Sequence, residues 1–268
     1  YPTHTNQWAL AGLWPVSSNG INHSNQDKFQ VFAASFARKS AHTKERYMFT
    51  RLLSENQSGA ASPFIAFDIF LKNVTGSPFS DNLYLDEGTS VTFSDDTEPE
   101  IIETMEDVLN SIRFGFLKIG SVPLNSDIKT IQGIKCNNQC EFVIYEPNSA
   151  KHSNETIERI KERYDYDLVD GEYLPTYGVI KAGSRLEFSR IIPTEDGYKI
   201  DYDPEYFALQ RTITSFENSI FKIPNAITKM RIYVWIEGQD FDSLETNSDG
   251  ASVNLVINFV KDLASYEQ

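Results

Sequence analysis

Apolar and polar residues alternate with a period of two along most of this chain. In Phe64–Lys72, residues Ile65, Phe67, Ile69 and Leu71 share one face, while Asp68 and Lys72 fall on the other. In Thr228–Glu237, Met230, Ile232, Val234 and Ile236 point inward, and Arg231, Tyr233, Trp235 and Glu237 point outward. Such alternation predicts half-buried antiparallel strands. Shorter runs predict more at Tyr47–Leu53, Leu83–Asp86, Ser90–Phe93, Arg113–Ile119, Thr130–Ile134, Phe142–Tyr145, Arg185–Ile191, Tyr198–Tyr202, Leu209–Thr214 and Ser252–Phe259. Turn residues such as Asp86-Glu87-Gly88, Asp196-Gly197 and Asp249-Gly250 separate them. Many short, punctuated strands predict an all-β fold, an antiparallel jelly-roll sandwich.

Two stretches break the alternation. Ile101, Ile102, Met105, Val108 and Leu109 recur at helical spacing after Glu98-Pro99, which predicts a short helix over 100–111. Ile157, Ile160 and Tyr164 predict a second over 154–164. The surrounding stretch, 146–206, is rich in Asp, Glu, Pro and Tyr and reads as an insertion beside the sandwich.

Residues 1–28 form an arm ahead of the predicted jelly-roll domain, 29–268. Every residue from Trp8 to Val16 is apolar or glycine, and Ser17-Ser18-Asn19-Gly20 follows as a hinge. An apolar strand with no hairpin signal to a neighbour is an aggregation liability unless something covers it. Two arrangements satisfy it. The arm is donated to a neighbouring subunit's sheet, with Trp8, Leu10, Trp14 and Val16 facing the acceptor core, or it pairs within its own domain as an edge strand.

Charge narrows the partners. Thirty-eight Asp and Glu against 24 Lys and Arg leave a net charge of −14, which repels nucleic-acid backbones and anionic membrane surfaces. No apolar run is long enough to span a bilayer as a helix. Tyr1–Asn6 has neither a basic nor an apolar segment, so any signal peptide is expected to have been removed. Cys136 and Cys140 flank three residues, a spacing open to a tight disulfide in an oxidising compartment and also to two free thiols.

No catalytic motif emerges, and the chain is not expected to be an enzyme. It lacks a nucleophile elbow, an H-E-x-x-H pair and a phosphate-binding loop. His4, His23, His42 and His152 lie in polar surroundings that predict surface positions. Glu237, Asp240, Asp242 and Asp249 crowd one loop, where oxygen ligands suit a calcium ion and where a solvated acidic loop is the plainer reading. Asn22, Asn56, Asn73 and Asn154 open N-x-S/T glycosylation sequons in predicted loops or helix starts. No other cofactor is expected.

Met230-Arg231-Ile232-Tyr233-Val234-Trp235-Ile236-Glu237-Gly238-Gln239-Asp240 resembles a C-terminal signature of secreted surface proteins of Gram-positive bacteria. The strands Phe64–Lys72 and Leu83–Leu85, and the segment Arg113–Phe116, match that group in order. The wider set is similar to camelysin-related biofilm-matrix fibre proteins. The resemblance implies a jelly roll and an extracellular, cell-surface location. Many members of that group carry a Cys soon after the Gly-Gln-Asp element, where this chain has Asp242-Ser243.

The leading expectation is therefore a secreted structural subunit that polymerises with copies of itself into an extracellular, pilus-like or matrix filament through its arm. The alternative is a monomeric surface adhesion or carbohydrate-binding module, with Trp235, Tyr233, Tyr164, Tyr166 and Tyr173 as sugar-stacking aromatics.

Overall fold

A computed structural model describes residues 13–18, 31–38, 46–52, 64–136, 140–164, 167–169, 171–174, 189–194, 197–201, 211–238, 240–243 and 252–262. The fold is β-rich and centres on strand β13 (Ile227–Glu237). Its antiparallel partner on one side is β7 (Ile112–Val122), in register from Ile227↔Val122 to Ile236↔Ile112 with a shift between Lys229 and Met230. On the other side β4 (Phe64–Lys72) pairs antiparallel with residues 227–235. There β1 (Pro15–Ser18) takes over, running parallel to β13 through Pro15↔Ile236 and Val16↔Glu237.

The sheet extends both ways from this centre. Beyond β7 lie β8 (Glu141–Tyr145) and, parallel to it, β11 (Thr212–Ile213). Beyond β1 come β2 (Val31–Arg38), β3 (Arg46–Leu52), β9 (Ser189–Thr194) and β10 (Gly197–Asp201). With two parallel pairings the sheet is mixed, not purely antiparallel as expected. The expected insertion also divides: its β9–β10 hairpin is part of this sheet.

A second layer covers one face. It comprises β5 (Asp81–Leu85) between β12 (Phe221–Ile223) and β15 (Phe259–Asp262), and β6 (Ser90–Phe93) paired with β14 (Val253–Val256). Bonds between Asp86, Thr89 and Asn258 join the two ladders end to end. Phe114, Phe116, Ile232 and Val234 pack here against Leu83, Leu85, Val91 and Phe221 to form the main core. The expected strand Ser252–Phe259 is broken at Ile257-Asn258 into β14 and β15. Neither pairs with β13, and Leu255 and Ile257 are only half-buried.

The opposite face of β13 is buried too, against the expectation of a polar outer face. Tyr233 and Trp235 pack with Leu117, Phe142, Ile144, Val16 and Val31, and the loop carrying Ile134 and Cys140 closes over them. Strands covered on both faces carry near-continuous apolar runs, and Ile232-Tyr233-Val234-Trp235-Ile236 is such a run. Gly115 permits the fit, since a Cβ there would come within 2.8 Å of Phe142 and 2.9 Å of Trp235. Cys136 and Cys140 are joined in a disulfide with Cα atoms 5.8 Å apart.

Helices fill the connections. The predicted first helix is α1 (Pro99–Met105), continued by a 3-10 segment, Glu106–Ser111. The strand expected at Thr130–Ile134 is instead α2 (Ile128–Gln132), because Asp127 caps it by accepting from the Thr130 N–H at 2.8 Å. Helix α3 (Asn154–Tyr164) has its expected extent, with Ser153 Oγ accepting from the Thr156 N–H at its start.

Candidate functional site

The most unusual feature of the interior is a set of charged side chains gathered where β7 begins and β8 and β13 end. Arg113 is the second residue of β7 and is 1% exposed. Its guanidinium lies 2.7 Å from both Glu146 Oε1 and Asp240 Oδ2, and it donates at 2.6 Å to the Asn110 carbonyl. Glu146 follows β8 directly and is fully buried, with its other oxygen accepting from the Leu174 N–H at 2.9 Å. Asp240 and Asp242 flank Phe241 in a tight 3-10 turn, Phe241–Ser243, which follows β13.

His152 stands between the carboxylates. Its ring is 1% exposed, correcting the surface position expected for it. Nε2 lies 2.7 Å from Glu146 and Nδ1 2.7 Å from Asp242. The other Asp242 oxygen accepts from Ser153 Oγ and Thr156 Oγ1, each at 2.6 Å. Four segments distant in sequence, 110–113, 146–156, Leu174 and 240–242, are thereby tied together, among them the start of α3.

Burial and pairing pull the proton affinities in opposite directions. Burial alone would lower the His152 pKa, but hydrogen bonds to Asp242 and Glu146 and the nearby carboxylate charge lift it to about 9. Burial pushes Asp240 up to about 7 despite Arg113 and His152. Burial would raise Asp242 as well, yet its bonds from His152, Ser153 and Thr156 hold it below the usual carboxylate range. Desolvation opposes the charge on Arg113, and Glu146 and Asp240 more than offset it.

Glu146, His152 and Asp240 present donor atoms within 4.8 Å of one another, a set of the type that holds metals. Arg113 already contacts two of these residues and His152 bridges to the third carboxylate, so the protein's own cations take the central place. The carboxylates expected to form a calcium loop are placed accordingly. Glu237 is buried and accepts from Trp235 Nε1 at 3.0 Å, Asp240 faces Arg113, and Asp242 faces His152. They do not line a common open cup, and Asp249 lies outside the described residues. No family model, curated protein or solved structure matches the chain.

Other anticipated residues separate just as clearly. Val16 is 1% exposed in the core of its own chain, so it is not available to a neighbour's core as expected. Trp14 is 37% exposed, and Trp8 and Leu10 lie outside the described residues. Trp235 and Tyr233 are buried, which removes two of the expected sugar-stacking rings, and Tyr173 is half-buried. Tyr166 and the Tyr164 side chain lie outside the described residues. Asn73 is 3% exposed and its amide donates to Asp81 at 2.8 Å, so it is not presented to a glycan-transferring enzyme. Asn154 is exposed at the head of α3, while Asn22 and Asn56 lie outside the described residues.

Sequence reasoning passed over Arg113, Glu146 and His152. One signal was present: Arg113 interrupts the apolar run of Ile112–Ile119, and a buried arginine needs an acidic partner.

Proposed function

We propose that the chain is a secreted structural subunit, not an enzyme, whose jelly-roll-type body polymerises into an extracellular filament. Its acceptor surface is the outer edge of β4. From Ile65 to Lys72 this strand pairs with β13 alone among the described residues. Phe67, Ile69 and Leu71 face the main core from it yet stay half-buried, and Phe70 on the opposite face is 44% exposed. Long apolar edges with unpaired backbone groups are templates for another strand.

The donor is the apolar segment Trp8–Trp14 of a neighbouring copy. Pro15–Ser18 anchors that segment beside the head of β4, since Pro15 and Phe64 pair with successive residues of β13. Leu13 and Trp14 belong to no strand; Leu13 packs against the main core and Trp14 is exposed. A head-to-tail contact of this kind does not close on itself and generates a fibre. The Cys136–Cys140 disulfide supports an oxidising, extracellular location.

The test is negative-stain microscopy beside sedimentation of the wild-type chain, a chain lacking residues 1–12, and Trp8→Asp. Filaments from the wild type and folded monomers from both variants are expected, because an unpaired charge is poorly tolerated in an apolar groove. Filaments from either variant, or a wild type that stays monomeric at high concentration, would overturn the proposal.

A further inference from the structure

An open cleft of about 460 Å³ lies between two turns, on a part of the surface that the assembly proposal does not use. One wall is the turn after β8, Pro147–Lys151, and the other is Thr214–Glu217, after β11. Hydrogen bonds hold both walls, the first from behind and the second within its own turn. Asn148 Nδ2 donates to the Leu109 carbonyl at 3.1 Å, and Asn110 Nδ2 to the Lys151 carbonyl at 2.6 Å. On the other side Ser215 Oγ accepts from the Glu217 N–H at 3.2 Å. Walls held this way keep their shape without a ligand, which lowers the entropic cost of binding.

The lining is specific in its chemistry. Phe216 is half-buried, backed by Tyr145 with ring centroids 5.9 Å apart, so an aromatic ring is held at the cleft. Ser149 is only 6% exposed, and its hydroxyl has no hydrogen-bond partner among the described residues. Lys151 and Glu217 also line the cleft, and neither forms an ion pair among the described residues. The Ser149 hydroxyl is open to solvent, so water or a ligand in the cleft can bond to it.

We propose that this cleft binds a neutral saccharide. An aromatic ring supplies a stacking surface for the C–H face of a pyranose, and neighbouring donors and acceptors of both signs suit its hydroxyls. Two carboxylates, Glu87 and Glu217, against one lysine disfavour a phosphate or other anion. The cleft volume falls in the usual range for small-molecule sites of about 300–1,000 Å³. The filament subunit would thus carry a glycan contact on its flank, and this site stands whether or not the chain polymerises.

The experiment is a heteronuclear NMR titration of the monomeric Trp8→Asp chain, or of the wild type if it stays monomeric, with cellobiose, with N,N′-diacetylchitobiose and with inorganic phosphate. Saturable shifts at the amides of Ser149, Lys151 and Phe216, from at least one disaccharide and not from phosphate, are expected. Ala150 is exposed on the rim, so Ala150→Trp should fill the cleft and weaken binding about tenfold or more. If that variant loses its native spectrum, Lys151→Ala with Glu217→Gln replaces it, with the same weakening expected. The inference is overturned if neither disaccharide shifts these amides at tens of millimolar, if the shifts map elsewhere, if phosphate binds there instead, or if a folded cleft variant binds unchanged.

Discussion

At the scale of single residues, Arg113 carries the most weight. It sits in an apolar strand, desolvated, and its two carboxylate partners are as buried as it is. Removing one member of such a set leaves the rest uncompensated, whereas replacing a whole set with apolar side chains is often neutral. Arg113→Met is therefore expected to cost about 3–5 kcal/mol in urea unfolding. Adding Asp240→Leu and Glu146→Leu to that variant should recover part of the loss. Full wild-type stability in Arg113→Met would show that the network does not hold the fold together. Asp68 offers a contrast. It faces Arg231 across β4 and β13 with contacts of 2.6 and 3.1 Å, and burial is outweighed by Arg231 and Lys229 in keeping its pKa low. Alternation put each residue on the outward face of its own strand, and the β4–β13 register made them neighbours.

At the scale of elements, most strands were legible; β2 and β12 were not foreseen, and two misread runs have identifiable causes. Thr130–Ile134 has β-branched residues, but Asp127 three positions before Thr130 is a helix cap, and a satisfied N–H outweighs a weak strand propensity. The run 252–259 alternates except at Val256, and its break at Asn258 arises from bonds to Asp86 and Thr89, which are distant in sequence. The burial of Tyr233 and Trp235 depends on what covers the second face of β13. Gly115 is the mark of that covering. Gly115→Ala would force Phe142 or Trp235 aside, and about 1–3 kcal/mol of destabilisation is expected from such overpacking. Chemical denaturation followed through Trp235 fluorescence would measure it, and an unchanged midpoint would mean the second face is loosely packed.

At the scale of the whole molecule, the charged network makes stability depend on pH. His152 is raised from an ordinary 6.5 to about 9, so its contribution is complete below pH 6.5 and is lost as pH rises through 9. Asp240 is raised from 3.8 to about 7, so its contribution also fades as pH rises through 7. Asp242 is lowered, so its contribution holds above pH 3.8 and is lost on acidification below that. Together they place the most stable range on the mildly acidic side. Thermal unfolding from pH 4 to 10 should show a midpoint that falls between pH 6 and 9.5, with a shallower fall in His152→Gln. A midpoint rising over that interval would contradict the arrangement.

The order of apolar and polar residues was sufficient for a β-rich chain, for the strands β4, β6 and β13 and for helix α3, because period and capping act over a few neighbouring residues. It also marked an apolar arm as a feature needing a partner and an acidic loop as solvated or calcium-binding. Which partners they meet was decided by tertiary structure alone. His152 looks solvent-facing among Lys151, Ser153 and Asn154, and Val16 looks like a continuation of the arm. One is buried because the turn after β13 brings Asp242 to it from 90 residues away, the other because β13 leaves room beside Ile236 and Glu237 where β4 ends. Burial is a property of what packs against a residue, and for both of these the packing neighbours lie far off along the chain.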